Sequence, residues 1–122
     1  MALNKPKYTL MKNTGYALAG LMEIIKNESS FKLQIILFVL MNILAWFLPL
    51  AFHLQAILSL SLFIPIMAEV TNSSIERVVD LVTLEHHELA KRAKDAGATL
   101  VFLSLILTGS IWAVVLYLGF IQ

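Results

Sequence analysis

LQAILSLSLFIPIMA, residues 54–68, carries no charge and passes directly into Glu69-Val70-Thr71-Asn72-Ser73-Ser74-Ile75-Glu76-Arg77-Val78-Val79-Asp80. An apolar run of this kind followed at once by acids reads as a membrane span leaving the hydrocarbon, because carboxylates are costly near lipid and need a reason to be there. On a helix at about 100° per residue, Glu69, Asn72, Glu76 and Asp80 fall within a sector of roughly 80°. Opposite them lies an apolar set, Val70, Ile75, Val78, Val79 and Val82. Three acids and an amide therefore form one stripe at the membrane edge.

Two further stretches are long enough to cross a bilayer, which takes about 20 residues. They are 33–52, LQIILFVLMNILAWFLPLAF, and 96–120, AGATLVFLSLILTGSIWAVVLYLGF. The 122-residue chain is 59% hydrophobic and 14% charged, where a soluble domain carries about 25% charged residues. It has no cysteine, which excludes disulfides and thiolate metal sites. Residues 1–30 are polar and mixed and show no signal-peptide core.

All nine Lys and Arg lie at 5–32 or 77–94, leaving the 48–55 connection and the C-terminus without any. The positive-inside rule then puts the N-terminus and the 77–95 region in the cytoplasm and the C-terminus outside. Topology accounts for these basic residues, and no aromatic–basic interleaving points to nucleic acid. The expected architecture is an all-α membrane protein forming a single domain over 1–122. Its parts are a 7–27 amphipathic surface helix, spans at 31–50 and 90–120, and a span at 53–85 with a cytoplasmic extension. A helix packed on the end of the bundle is the alternative for 7–27. Pro49 suits the turn between the first two spans. Pro65, inside the second, removes a backbone donor and calls for a neighbour to satisfy the freed carbonyl. Ala90, Ala93 and Gly97 are small enough for close helix approach.

No Walker, dinucleotide, kinase-loop or G-x-S-x-G pattern is present. His86 and His87 are adjacent, about 100° apart on a helix, and make a poor metal pair. The carboxylates are the better candidates. Glu69 is the most embedded acid, where partial desolvation suits a proton acceptor. Glu76, two turns nearer water, suits a hard cation such as Mg²⁺ that keeps its waters and takes one or two carboxylates, and Glu28 could supply the second. Lys94 could meet phosphate. Together these describe phosphoryl transfer to a molecule dissolved in lipid. The plainer readings are that the acids pair with Lys or Arg across helices, Asp80 with Arg77 being such an i, i+3 pair, or that the stripe conducts protons or ions. Arg77, Glu85 and Glu88 read as solvated or ion-paired.

The run Glu69–Asp80, followed by His87-Glu88-Leu89-Ala90-Lys91-Arg92-Ala93-Lys94-Asp95-Ala96-Gly97, resembles the prokaryotic diacylglycerol kinase family. That family's pattern is E-x-x-N-[ST]-A-I-E-x-x-V-D and then H-E-L-[AS]-x-x-A-K-D-x-[GA]. Gly15, Tyr16, Gly20, Asn27, Glu28 and Phe31 extend the match to about 12–112. The resemblance implies a homotrimer of the bacterial inner membrane, multi-pass, with cytoplasmic sites shared between subunits. It implies ATP- and Mg²⁺-dependent phosphorylation of diacylglycerol to phosphatidic acid. Glu69 matches the proton acceptor, with Asn72 beside it, and Glu28 and Glu76 the carboxylates that hold Mg²⁺ with ATP. Tyr16, Glu85, His86, His87, Lys94 and Asp95 match nucleotide-contacting positions, and Glu69 and Ala98 face the lipid substrate. Departures are Thr9 in place of a phosphate-binding arginine, for which Lys7 or Lys12 could substitute, together with Ser74, His86 and Ala98. An undecaprenol kinase shares the stripe and differs in its lipid acceptor. A non-enzymatic oligomer passing ions or protons is the alternative of another class.

Overall fold

The computed structural model describes Lys7 and residues 9–122, in which five helices and no strand are found. These are α1 (Leu10–Asn27), α2 (Ser29–Phe47), α3 (Phe52–Ser61), α4 (Phe63–Val82) and α5 (Glu88–Phe120). Three rods are long and apolar enough to span a membrane: α2, the combined Phe52–Val82 unit of α3 and α4, and α5. At 33 residues, α5 is about 50 Å long against a hydrocarbon core of about 30 Å. Its charged first turns, Glu88–Asp95, therefore stand clear of the apolar slab.

The helix ends differ from the expected ones for local reasons. α1 begins at Leu10 rather than at 7, because extended Thr9 caps it by accepting from the Lys12 amide at 3.3 Å. Glu28 is the single extended residue between α1 and α2, so the two helices meet at an elbow on that carboxylate. α4 stops at Val82, not 85. Thr83 turns extended, and its hydroxyl accepts from the Glu85 amide at 3.1 Å. Thr83 and His87 therefore do not continue the polar stripe. His87 instead caps α5, its Nδ1 accepting from the Leu89 amide at 3.1 Å. Between α2 and α3, Gln55 closes the turn by donating to the Trp46 and Leu48 carbonyls at 3.1 and 2.9 Å.

Burial runs opposite to that of a soluble domain. Most large apolar side chains are exposed, as in a chain whose surroundings are lipid, and one compact cluster forms around Ala45, Leu58, Leu62, Trp112 and Val115. Ser61, Glu69, Asn72, Ser73, Ser104 and Thr108 are buried. Polar groups turned inward are what a bilayer requires, because lipid offers them no partner.

The middle of the bundle is organised by Pro65. Lacking an N–H, it leaves the Ser61 carbonyl without its helical donor, and the rod breaks at Leu62. Thr108 Oγ1 on α5 donates to that carbonyl at 3.4 Å, and Trp112 Nε1 donates to Ser61 Oγ at 3.1 Å. The neighbour that Pro65 calls for is α5.

Thr108→Val keeps the shape and deletes the donor. It should lower stability in detergent by about 0.6–1 kcal/mol. Pro65→Ala returns a helical donor to Ser61, so Thr108→Val should cost less in that background. Thermal unfolding of the two single variants and the double variant reads the coupling. Strict additivity would show that Thr108 does not serve the Pro65 gap.

Candidate functional site

The polar stripe of α4 meets two partners, the α1–α2 elbow and the start of α5. Deepest is Glu69, 8% exposed. Both of its oxygens are held from α2 by neutral groups, Ser30 Oγ donating at 3.4 Å and Gln34 Nε2 at 3.1 Å. No Lys or Arg pairs with it among the described residues. Gln34 is the residue that the sequence reading misses. Its other amide atom, Oε1, is buried without a partner. The same side chain stands at the head of an apolar groove of about 460 Å³, which Leu37, Phe38, Met41, Pro65 and Ile66 help to line.

One turn along α4, Asn72 donates to Glu76 Oε1 at 3.5 Å, and its buried Oδ1 has no hydrogen-bond partner. This oxygen lies against Gly97 of α5, where an added Cβ would stand 2.3 Å from it. Of the three small residues singled out on α5, Gly97 is the one whose missing side chain makes room for a site residue. Glu76 is exposed and carries no ion pair among the described residues. Its charge acts on both Glu69 and Lys94, so it links the buried end of the stripe to the open end.

At the elbow, Glu28 is fully engaged. Arg77 Nη2 donates to its Oε1 at 2.9 Å, and Ser73 Oγ donates to its Oε2. The other arm of Arg77 donates to Glu23 on α1. The expected Arg77–Asp80 pair is therefore not formed. Arginine's long stem reaches across to α1, and Asp80 instead pairs with Lys94 at 2.6 Å. Asp95 is bound by Lys91 at 2.7 Å, and Glu88 by Arg92 at 3.2 Å.

Glu85, His86, His87, Lys94 and Asp95 come together around an open cleft of about 380 Å³ whose wall also includes Asp80. Tyr16 is not part of that wall. It is half-exposed on α1, and Ala98 is exposed on α5 next to Gly97. Among the described residues no three His, Cys, Asp or Glu side chains gather as a metal cage. Mg²⁺ does not require one, because it takes one or two carboxylates and completes its shell with water and phosphate. Glu28 at the elbow and Glu76 on the stripe are carboxylates of that kind, and Glu28 would have to release Arg77 to serve as one.

Residues 15–116 match the family described as prokaryotic diacylglycerol kinase. A diacylglycerol kinase of Haemophilus influenzae is 38% identical over 109 residues, covering 88% of this chain and 92% of its own length. One from Pseudomonas aeruginosa is 33% identical, covering 88% and 87%. One from Escherichia coli K12 is 32% identical over 121 residues, covering 98% and 99%.

The hydrogen bond from Arg77 holds Glu23 below the usual carboxylate range. Unfolded Glu titrates near about 4.3, so the tie between α1 and α4 should be at full strength above that pH. It should weaken as pH falls through the lowered folded value. The protection of α1 amides against hydrogen exchange, corrected for the intrinsic rate at each pH, should therefore fall as pH drops through that value. In Glu23→Gln this acid-induced loss of protection should shrink, and an unaltered pH profile in that variant would remove Glu23 as its source.

Proposed function

We propose, because the chain belongs to the prokaryotic diacylglycerol kinase family, that its α2–α4 carboxylate site passes a phosphoryl group from ATP to the hydroxyl of diacylglycerol, giving phosphatidic acid. Family membership makes the chain a kinase, a transferase of lipid metabolism. The single observation that carries the site assignment is the environment of Glu69. Nearer the edge of the bundle Glu28 carries Arg77 and Asp80 carries Lys94, while exposed Glu76 is left to solvent. Glu69 carries only a hydroxyl and an amide. An acid kept for charge balance would have a cation, whereas one held by neutral donors stays able to accept a proton.

In this reading the lipid hydroxyl lies at Glu69, near Ala98, with its chains in the surrounding apolar phase. The groove below Gln34 supports that approach, since its head is polar and its walls are apolar. Glu69 takes the hydroxyl proton as the oxygen attacks the terminal phosphorus, and the nucleoside diphosphate leaves. Asn72 positions Glu76 through its amide. Glu28 and Glu76 would hold Mg²⁺, which when bound neutralises charge on the phosphates. The nucleotide is assigned to the cleft of Glu85, His86, His87, Lys94 and Asp95, with Tyr16 joining from α1. Asp80 must then share Lys94 with phosphate.

The distribution of Lys and Arg supports a bacterial inner-membrane protein with its N-terminus and site on the cytoplasmic side and its C-terminus outside. A homotrimer with shared sites is part of the proposal. That Tyr16 does not line the cleft within one chain suits it. The amphipathic α1 would lie on the membrane surface.

Purified protein given radiolabelled ATP with diacylglycerol or undecaprenol, side by side, tests the reaction and its acceptor. Glu69→Gln should lose at least about 10²-fold in turnover while still assembling, the lower end of what a positioned base contributes. Near-normal turnover would clear Glu69 of that role. Glu76→Gln should raise the Mg²⁺ concentration needed for half-maximal rate, and an unchanged requirement would remove Glu76 from the cation site.

A further inference from the structure

We infer that Arg77 is a built-in counter-cation: it fills the place of the divalent cation on Glu28 in the free chain and biases the site toward a cation–polyphosphate complex over the bare cation. The inference rests on the proposed role of Glu28 as a cation ligand. Its basis is the double engagement of that carboxylate, whose Oε2 takes the Ser73 hydroxyl and whose Oε1 takes the Arg77 guanidinium at 2.9 Å. A hydroxyl can stay when a metal ion arrives. A guanidinium on the same carboxylate cannot, because it would set like charges side by side.

The geometry also gives Arg77 somewhere to remain. Its guanidinium forks, one arm to Glu28 and the other to Glu23, which lies outside the carboxylate site. Releasing Glu28 therefore leaves Arg77 still tethered to α1. Arg77 and Glu23 are both about half exposed, at 45% and 46%, so the exchange exposes no buried charge and costs little.

Charge balance then gives the preference. Glu28 and Glu76 each add negative charge in the neighbourhood of Glu69. That concentration of negative charge would attract any bare divalent cation. A neighbouring guanidinium weakens the attraction, while it favours the negative phosphates of a nucleotide complex. Arg77 is thus a positioning residue for Glu28 that also tunes specificity.

The test is direct binding of Mn²⁺, which accepts the same oxygen donors, to the purified full chain in detergent, read by paramagnetic resonance of the free ion. No nucleotide and no turnover are needed. Arg77→Met keeps the apolar stem and deletes the charge, and should tighten Mn²⁺ binding roughly three- to tenfold. The same variant should weaken binding of Mn²⁺ with a non-hydrolysable ATP analogue, a reversal that mere loosening of α1 would not produce. Glu23→Gln leaves the guanidinium to Glu28 alone and should weaken Mn²⁺ binding. Its direction decides the matter should Arg77→Met fail to fold, with unchanged affinity counting against the inference. If Glu28→Gln abolishes Mn²⁺ binding while Arg77→Met leaves it unchanged, the counter-cation role is wrong and the cation site stands. If Glu28→Gln leaves Mn²⁺ binding intact, Glu28 is no ligand and both readings fall.

Discussion

The Ser61 carbonyl, deprived of its donor by Pro65, is the point from which the register of the site follows. Lipid supplies no replacement hydrogen bond, so the group must be met from inside the bundle. Thr108 meets it, and Trp112 takes the Ser61 hydroxyl beside it. These contacts fix where α5 stands along the α3–α4 rod. Asn72 lies eleven residues after Ser61, and Gly97 lies eleven before Thr108. Eleven residues are close to three helical turns, so on antiparallel helices each pair returns to the same face at the same height. The Asn72–Gly97 contact is therefore in register with the Ser61–Thr108 contact. A break that looks like a defect in a span sets the placement of a side chain three turns away.

The large features are legible in the sequence because lipid imposes them. Three apolar runs, a polar stripe and the lopsided placement of charge need only composition and the helical period to be read. Glu69, Asn72 and Glu76 are likewise readable, since their spacing of three to four residues puts them on one face. What spacing does not report is which element stands opposite that face. Asp80 three residues after Arg77 reads as a local pair, yet Arg77 crosses to α1 and Asp80 to α5. In both cases a long side chain reaches a partner on another helix.

Gln34 escapes the sequence reading for a related reason. One amide in a long apolar run reads as a tolerated polar residue, and only its i, i+4 spacing from Ser30 marks the two as one face of α2. The end of α4 is hidden differently. Neither glycine nor proline stands near Val82, and the stop is made by the Thr83 hydroxyl turning back on the Glu85 amide. His87 then opens α5 as a cap, an uncommon choice beside Ser, Thr, Asp or Asn. This short turn gathers Glu85, His86 and His87 at the cleft, which an unbroken helix would have spread around its circumference.

Depth sorts the acids by partner, and that sorting is the basis for separating chemistry from scaffolding. At the edge of the apolar slab, ion pairs form across helices, and partial exposure lets them exchange partners at small cost. Deeper in, a Lys or Arg beside Glu69 would bring a second charge into the same desolvated space, and its removal would leave an uncompensated ion. Ser30 and Gln34 avoid both problems. They satisfy the carboxylate oxygens by hydrogen bonds while leaving its protonation state free to change. In the proposed mechanism the carboxylate that changes charge, Glu69, thus lies where no fixed cation holds it, while Glu28 and Asp80 lie where Arg77 and Lys94 reach them. A cation placed on Glu69 would keep the same stripe and hold the proposed base as an anion.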